Sequence, residues 1–331
     1  MGYRSTAWLL SRVPPGLARP VMGRLAQSSY LLWPTKRRWS NLNFGHVLGL
    51  PPSDPRVRRL ALRAYRRYGH YLVELMRLPS RPLSEVGELV PELDSERVIR
   101  DWHAAPRGGG LIFTVGHIGN NEAVAAAIGR LGLPISVVAD DSSLPELFEH
   151  LRRQREAWGM RIIAWRNLRA IYGVLRRREM LCLVVDWGYR SDGIPVRMFD
   201  AWTTLPAGPA VLAARTGSRL IPVAIHRRSD DRFDVVWGDV IDVPTGDPAE
   251  LQRVTQLLAD SLAENISFDP VQWYSFKPIW PETAAEAADL ERRALLMQAG
   301  RPDPGPDRAF APPDGDATTV DGAAATGDVV L

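Results

Sequence analysis

The apolar positions of this chain follow two rhythms, and the change between them falls near residue 100. In the front part they recur at helical spacing between proline breaks, with Pro14-Pro15, Pro34 and Pro51-Pro52 dividing the segment into short helices. A longer helix is predicted from the Asp54-Pro55 cap to about Leu78. Val57, Leu60, Ala61, Ala64, Tyr65, Tyr68, Tyr71, Leu72 and Leu75 line one of its faces, and Arg58, Arg59, Arg63, Arg66 and Arg67 occupy the rest. From Arg107 the apolar residues gather instead into short continuous runs separated by amphipathic stretches. LIFTV, a glycine-rich turn, a helix over 122–131, ISVVA, a helix over 144–158, RIIAW, a helix over 168–178 and MLCLVVD follow one another. A strand near Val196, a helix over 208–216 and the strand RLIPVAI continue the series, and RFDVVWGDVIDV closes it by pairing back across the polar turn RRSDD. Residues 250–265 read as a last amphipathic helix of this part.

Alternation of this kind predicts an α/β fold, with a central mostly parallel or mixed sheet flanked by helices. The expected order is a basic amphipathic helical layer over 1–100, an α/β core over 101–282, a short helix over 283–300 and a disordered tail over 301–331. The tail is too rich in Pro, Gly, Asp and Ala to build a core.

Composition narrows the picture. With 331 residues, 45% of them hydrophobic, the chain is long enough to bury a substantial core. Its one cysteine, Cys182, allows no internal disulfide and no thiolate-rich metal site. No run approaches the ~20 apolar residues of a membrane span. The net charge of +3 conceals an asymmetry, since residues 1–80 hold fourteen Lys and Arg against Asp54 and Glu74, so the remainder is acidic. Trp8, Leu9, Leu17, Leu25, Leu31, Leu32 and Trp33 are set among those cations, the composition of helices that lie in an anionic lipid interface. Nucleic acid is disfavoured, because no finger, helix-turn-helix or RNA-binding aromatic motif accompanies the charge.

The chemistry concentrates in TVGHIGNNE, residues 114–122. A histidine leaving a buried strand ahead of a helix sits at the carboxyl end of a sheet strand, where open α/β folds place their sites. His-x4-acid is a weak pattern alone, and His226 with Asp231 repeats it inside a charged turn. Gly116 and Gly119 set His117 apart, because they allow a tight turn and a close approach of substrate. Asn120 or Asn121 could cap the following helix, with Glu122 in its first turn.

The block GHIGNNE, the segment DWGYRSDGIPVRMFDAWTTLPAGPAVLAARTGSRLIPVAI and the stretch DPVQWYSFKPIW together resemble the bacterial late acyltransferases of lipid A biosynthesis and their relatives, the phosphatidylinositol mannoside acyltransferases, across about residues 20–280. The resemblance implies an O-acyltransferase at the cytoplasmic face of the cell membrane. Acyl-CoA or an acyl-carrier protein would be the donor and a lipid or glycolipid the acceptor, with no metal or redox cofactor. It implies His117 as general base, with Glu122 as its expected carboxylate partner. An i to i+5 step within a continuous helix would leave those two side chains roughly 140° apart, so they can meet only if His117 precedes the helix. Asp192, or less favourably Asp186, in the loop DWGYRSDG is a competing partner. Arg155 in REAWGM is the first candidate cation for substrate phosphates, with Arg197 and Arg190 behind it. Backbone N–H groups over 116–119, or the helix start at Ala207 and Gly208, are candidates for holding an oxyanion. A non-catalytic lipid-binding module and a thioester or lipid-ester hydrolase are the competing classes, and the lack of G-x-S-x-G argues against a serine hydrolase.

Overall fold

A computed structural model describes residues 8–78, 81–91, 93, 95–104, 109–139, 145–307 and 309–310. The expected tail beyond residue 310 lies outside the described residues. The front consists of helices α1 (Pro15–Leu32), α2 (Pro34–Leu48), α3 (Pro55–Arg77), α4 (Leu83–Glu88) and α5 (Ser95–His103). The prolines act as helix starters here, since α1, α2 and α3 each carry Pro in the first turn, where its missing N–H costs nothing. Asp54 caps α3 by accepting from Arg56 N. Helices α1 and α3 cross almost backbone to backbone, because a Cβ on Gly69 would stand 2.4 Å from Met22 O.

The core runs β1 (Leu111–Val115), α6 (Asn121–Arg130), β2 (Ile135–Ala139), α7 (Pro145–Ala157), β3 (Arg161–Ala164), α8 (Leu168–Arg176) and β4 (Met180–Val184). It continues with β5 (Ile194–Met198), β6 (Ala201–Leu205), α9 (Gly208–Thr216), β7 (Arg219–Arg227), β8 (Phe233–Trp237) and α10 (Pro248–Phe268), and α11 (Ala284–Gln298) follows. The main sheet has the order β3-β2-β4-β1-β7-β8, parallel except for the antiparallel β7–β8 pair. The mixed sheet expected from the alternation is the one observed. Strand β1 is buried along its whole length, as a parallel strand covered on both faces must be. Two apolar clusters cover the sheet: one joins Tyr30, Phe44 and Leu60 to Leu258 and Trp273, and the other joins Val86, Phe113, Val124 and Ile128 to Trp158.

Two departures from the expected pattern matter. Helices α4 and α5 were not apparent in the sequence. Neither was β6, which pairs with β5 through a two-residue turn. That turn is Phe199-Asp200, with φ of 50° and 59°, a conformation usually signalled by Asn-Gly. No helix among the described residues is long and apolar enough to cross a membrane.

Candidate active site

Strands β1 and β4 are parallel neighbours in register Val115↔Val184, and Val185 N donates to Val115 O at 3.0 Å. Two residues beyond each of these paired positions the chains present His117 and Asp186. Equal offsets from a shared register bring the two side chains together at the carboxyl edge of the sheet. His117 Nδ1 lies 2.6 Å from Asp186 Oδ1, and His117 N lies 3.1 and 2.9 Å from the two carboxylate oxygens. A nitrogen facing a carboxylate carries the proton, so in the neutral ring the basic lone pair resides on Nε2. The Asp186 side chain is fully buried and that of His117 nearly so. Burial pushes the Asp186 carboxyl up, but the imidazole charge and the N–H donors of His117 and Trp273 outweigh it and hold the group below its ordinary 3.8.

A strap after α10 closes over this pair. Gly119 N donates to Gln272 O, Tyr274 N donates to His117 O, and Ile118 forms an antiparallel bridge with Trp273. Gly119 has φ +65° and would place a Cβ 2.1 Å from Ile225 O, so no other residue fits that turn. The indole Nε1 of Trp273 donates to Asp186 Oδ2 at 2.8 Å, and Ser275 Oγ donates to Asp186 O at 2.9 Å. Asn43 of α2 pins the far end of the strap, donating to Ser275 O and Lys277 O and accepting from Ile279 N. Trp187, next to Asp186, places its ring 5.8 Å from that of His117 and carries Lys277 Nζ 3.9 Å above its own centroid.

Of the carboxylates weighed from the sequence, Asp186 meets His117 Nδ1 and the other two are placed elsewhere. Glu122 lies in the first turn of α6 and turns to Arg155 of α7, which donates from Nε at 2.9 Å and from a terminal nitrogen to the second carboxylate oxygen. Asp192, six residues beyond Asp186, is held on the surface by Arg190 at 2.9 and 2.6 Å. Arg155, expected to meet a substrate phosphate, is buried with Glu122. Burial works against its charge, yet the Glu122 carboxylate prevails and keeps the guanidinium above its ordinary value. Burial and the same carboxylate push the Cys182 thiol up to about 12. Arg197 projects from the β5–β6 hairpin beside Asp200 at 3.5 Å. Asn120 caps α6 by accepting from Ala123 N, and it also donates to Glu74 at 3.3 Å. Gly208 begins α9 after Ala207. Two of the backbone N–H groups suggested for an oxyanion, those of His117 and Gly119, are spent on Asp186 and on Gln272 O.

Trp273, Ser275 and Asn43 were not singled out from the sequence, although the block DPVQWYSFKPIW that contains two of them was. Among the described residues no three His, Cys, Asp or Glu side chains gather as a metal site would require.

Comparison with known proteins gives concordant results. The family described as "Bacterial lipid A biosynthesis acyltransferase" matches residues 3–282. The phosphatidylinositol mannoside acyltransferase of Mycolicibacterium smegmatis is 29% identical over 303 residues, covering 89% of this chain and 94% of that protein. The protein of the same name from Mycobacterium tuberculosis is 28% identical over 273 residues, covering 77% of this chain and 79% of its own.

Proposed function

The chain belongs to the bacterial lipid A biosynthesis acyltransferase family and is an acyltransferase, and on that premise we propose that it moves a fatty acyl group from a thioester donor to a hydroxyl of a glycolipid, with His117 as general base. The observation that carries the reading is the His117–Asp186 contact of 2.6 Å at the carboxyl edge of the sheet. A sugar hydroxyl is a poor nucleophile near neutral pH, so its proton must leave as the oxygen attacks. Neutral His117 Nε2 takes that proton, and the hydroxyl oxygen bonds to the thioester carbonyl carbon. The tetrahedral intermediate then expels the thiolate, which recovers the proton from the imidazolium, so that one C–S bond is exchanged for one C–O bond. Asp186 fixes the tautomer and stabilises the imidazolium between these steps. The names of the two mycobacterial relatives favour a phosphatidylinositol mannoside as the acceptor. Acyl-CoA or an acyl-carrier protein serves as donor.

The exposed face of α1 supports action at a membrane surface. Leu17, Val21, Leu25, Leu31 and Leu32 are each more than half exposed there, and Arg12 stacks over the exposed Trp8 at 4.3 Å. An apolar ridge edged by arginines suits an anionic leaflet, and the cytoplasmic face is the one that thioester donors reach. Incubation with labelled palmitoyl-CoA and a total polar lipid extract, followed by mass spectrometry of the product, tests the assignment. A labelled acyl mannoside is expected. Release of free fatty acid with acceptor in excess would make the protein a hydrolase, and vesicle binding without turnover would make it a lipid-binding module.

A further inference from the structure

Trp273 approaches the His117–Asp186 pair from behind, fully buried, with Phe44 edge-on at 5.8 Å and Trp280 at 6.4 Å fixing the plane of its indole. Its N–H meets Asp186 Oδ2 and His117 Nδ1 meets Oδ1, while the backbone N–H of His117 spans both oxygens, so the indole is the one side-chain donor on Oδ2. A buried carboxylate free to rotate about its Cβ–Cγ bond could turn Oδ1 out of line with the imidazole. The indole joins the His117 backbone N–H on the opposite oxygen, adds to the resistance against that rotation and draws off part of the negative charge that makes the imidazole basic. The indole is held in turn by a strap that Asn43 ties down through the backbone of Ser275, Lys277 and Ile279.

We propose that Trp273 is a positioning residue for proton transfer at His117: by gripping Asp186 Oδ2 it aligns Oδ1 with the ring and limits how basic the ring becomes. The proposal rests on the general-base reading given above. Its consequence has a sign. Without the indole donor the carboxylate is less stabilised, holds the imidazolium more tightly and raises the pH at which His117 loses its proton. A base that must be neutral to act is then titrated out at higher pH.

The test replaces the donor while keeping the aromatic shape. In Trp273→Phe, and in the full chain carrying benzothienylalanine at position 273, where sulfur replaces the indole N–H, the acid limb of kcat/KM should move up by about half to one pH unit. The His117 resonance in a 15N-histidine NMR titration should move with it. The kcat should fall about tenfold while KM for palmitoyl-CoA changes less than twofold. Ser275→Ala, whose lost bond goes to the Asp186 backbone carbonyl, should leave the limb in place. If both Trp273 variants titrate like the parent, or shift downward, the positioning role is overturned. His117→Ala separates the two claims: full activity without the imidazole would remove the general-base reading itself, whereas an inactive His117→Ala beside unshifted Trp273 variants would remove this inference alone.

Discussion

Replacing Asp186 with asparagine changes one oxygen into an NH2 group, in a site where every neighbouring contact is a donor. The carboxylate accepts from His117 N, His117 Nδ1 and Trp273 Nε1, and its side chain has no exposed surface to turn toward. An amide can keep its oxygen on the Trp273 side only by facing His117 with its NH2. Nδ1 must then become the acceptor, which sends the ring proton to Nε2, the nitrogen that has to be basic. The base is removed by a tautomer change without displacing a heavy atom. The equivalent change in a serine protease triad costs about 10⁴-fold, roughly 5.4 kcal/mol of transition-state stabilisation, and a loss of about 10³ to 10⁴ in kcat/KM is expected here. Initial rates of palmitoyl transfer to a polar lipid extract measure it, with circular dichroism confirming that the chain stays folded. A folded Asp186→Asn protein within tenfold of the parent would refute the reasoning.

Three other perturbations follow from the same structure. Glu122→Gln leaves Arg155 charged and buried without its counter-ion, so unfolding in urea should show a loss of about 3 kcal/mol, and an unchanged midpoint would contradict the pairing. His70 is held neutral down to about 4 by burial and by Arg67, Arg66, Arg19 and Arg227. The unfolded chain binds that proton near the ordinary value of 6.5, so stability should be complete above 6.5 and fall as pH drops from there toward 4; His70→Gln should flatten this slope in thermal melts across that range. Leu17→Ser with Leu25→Ser removes two residues from the exposed ridge of α1, and at about 1.5–3 kcal/mol per buried leucine, sedimentation with anionic vesicles should show affinity falling at least about 10²-fold. Undiminished binding would place the membrane contact elsewhere.

The sheet strands were legible because buried parallel strands write themselves as unbroken apolar runs, as LIFTV and MLCLVV do. His117 was legible for the same reason, standing at the end of such a run with a helix behind it. Asp186 stands at the end of another, yet was ranked below Glu122 and Asp192. Its claim depends on β4 lying beside β1 in the order β3-β2-β4-β1, which sequence order does not convey. Trp273 is 87 residues from the carboxylate it grips, and nothing local marks its indole as a donor to it. Glu122 and Arg155 were singled out on the family resemblance, which says nothing of their distance from each other. The structure places them in one buried ion pair between α6 and α7. The turn from β5 into β6 escaped notice because Phe199 and Asp200 adopt positive φ without the glycine or asparagine that usually announces it.

The most direct test of the account is single-turnover transfer by His117→Ala, with donor in place and acceptor lipid saturating. Palmitoyl-CoA should bind with unchanged affinity while the acyl-transfer step slows by at least about 10³-fold. Transfer at a rate within tenfold of the parent would contradict the claim that this imidazole, oriented by Asp186, takes the hydroxyl proton.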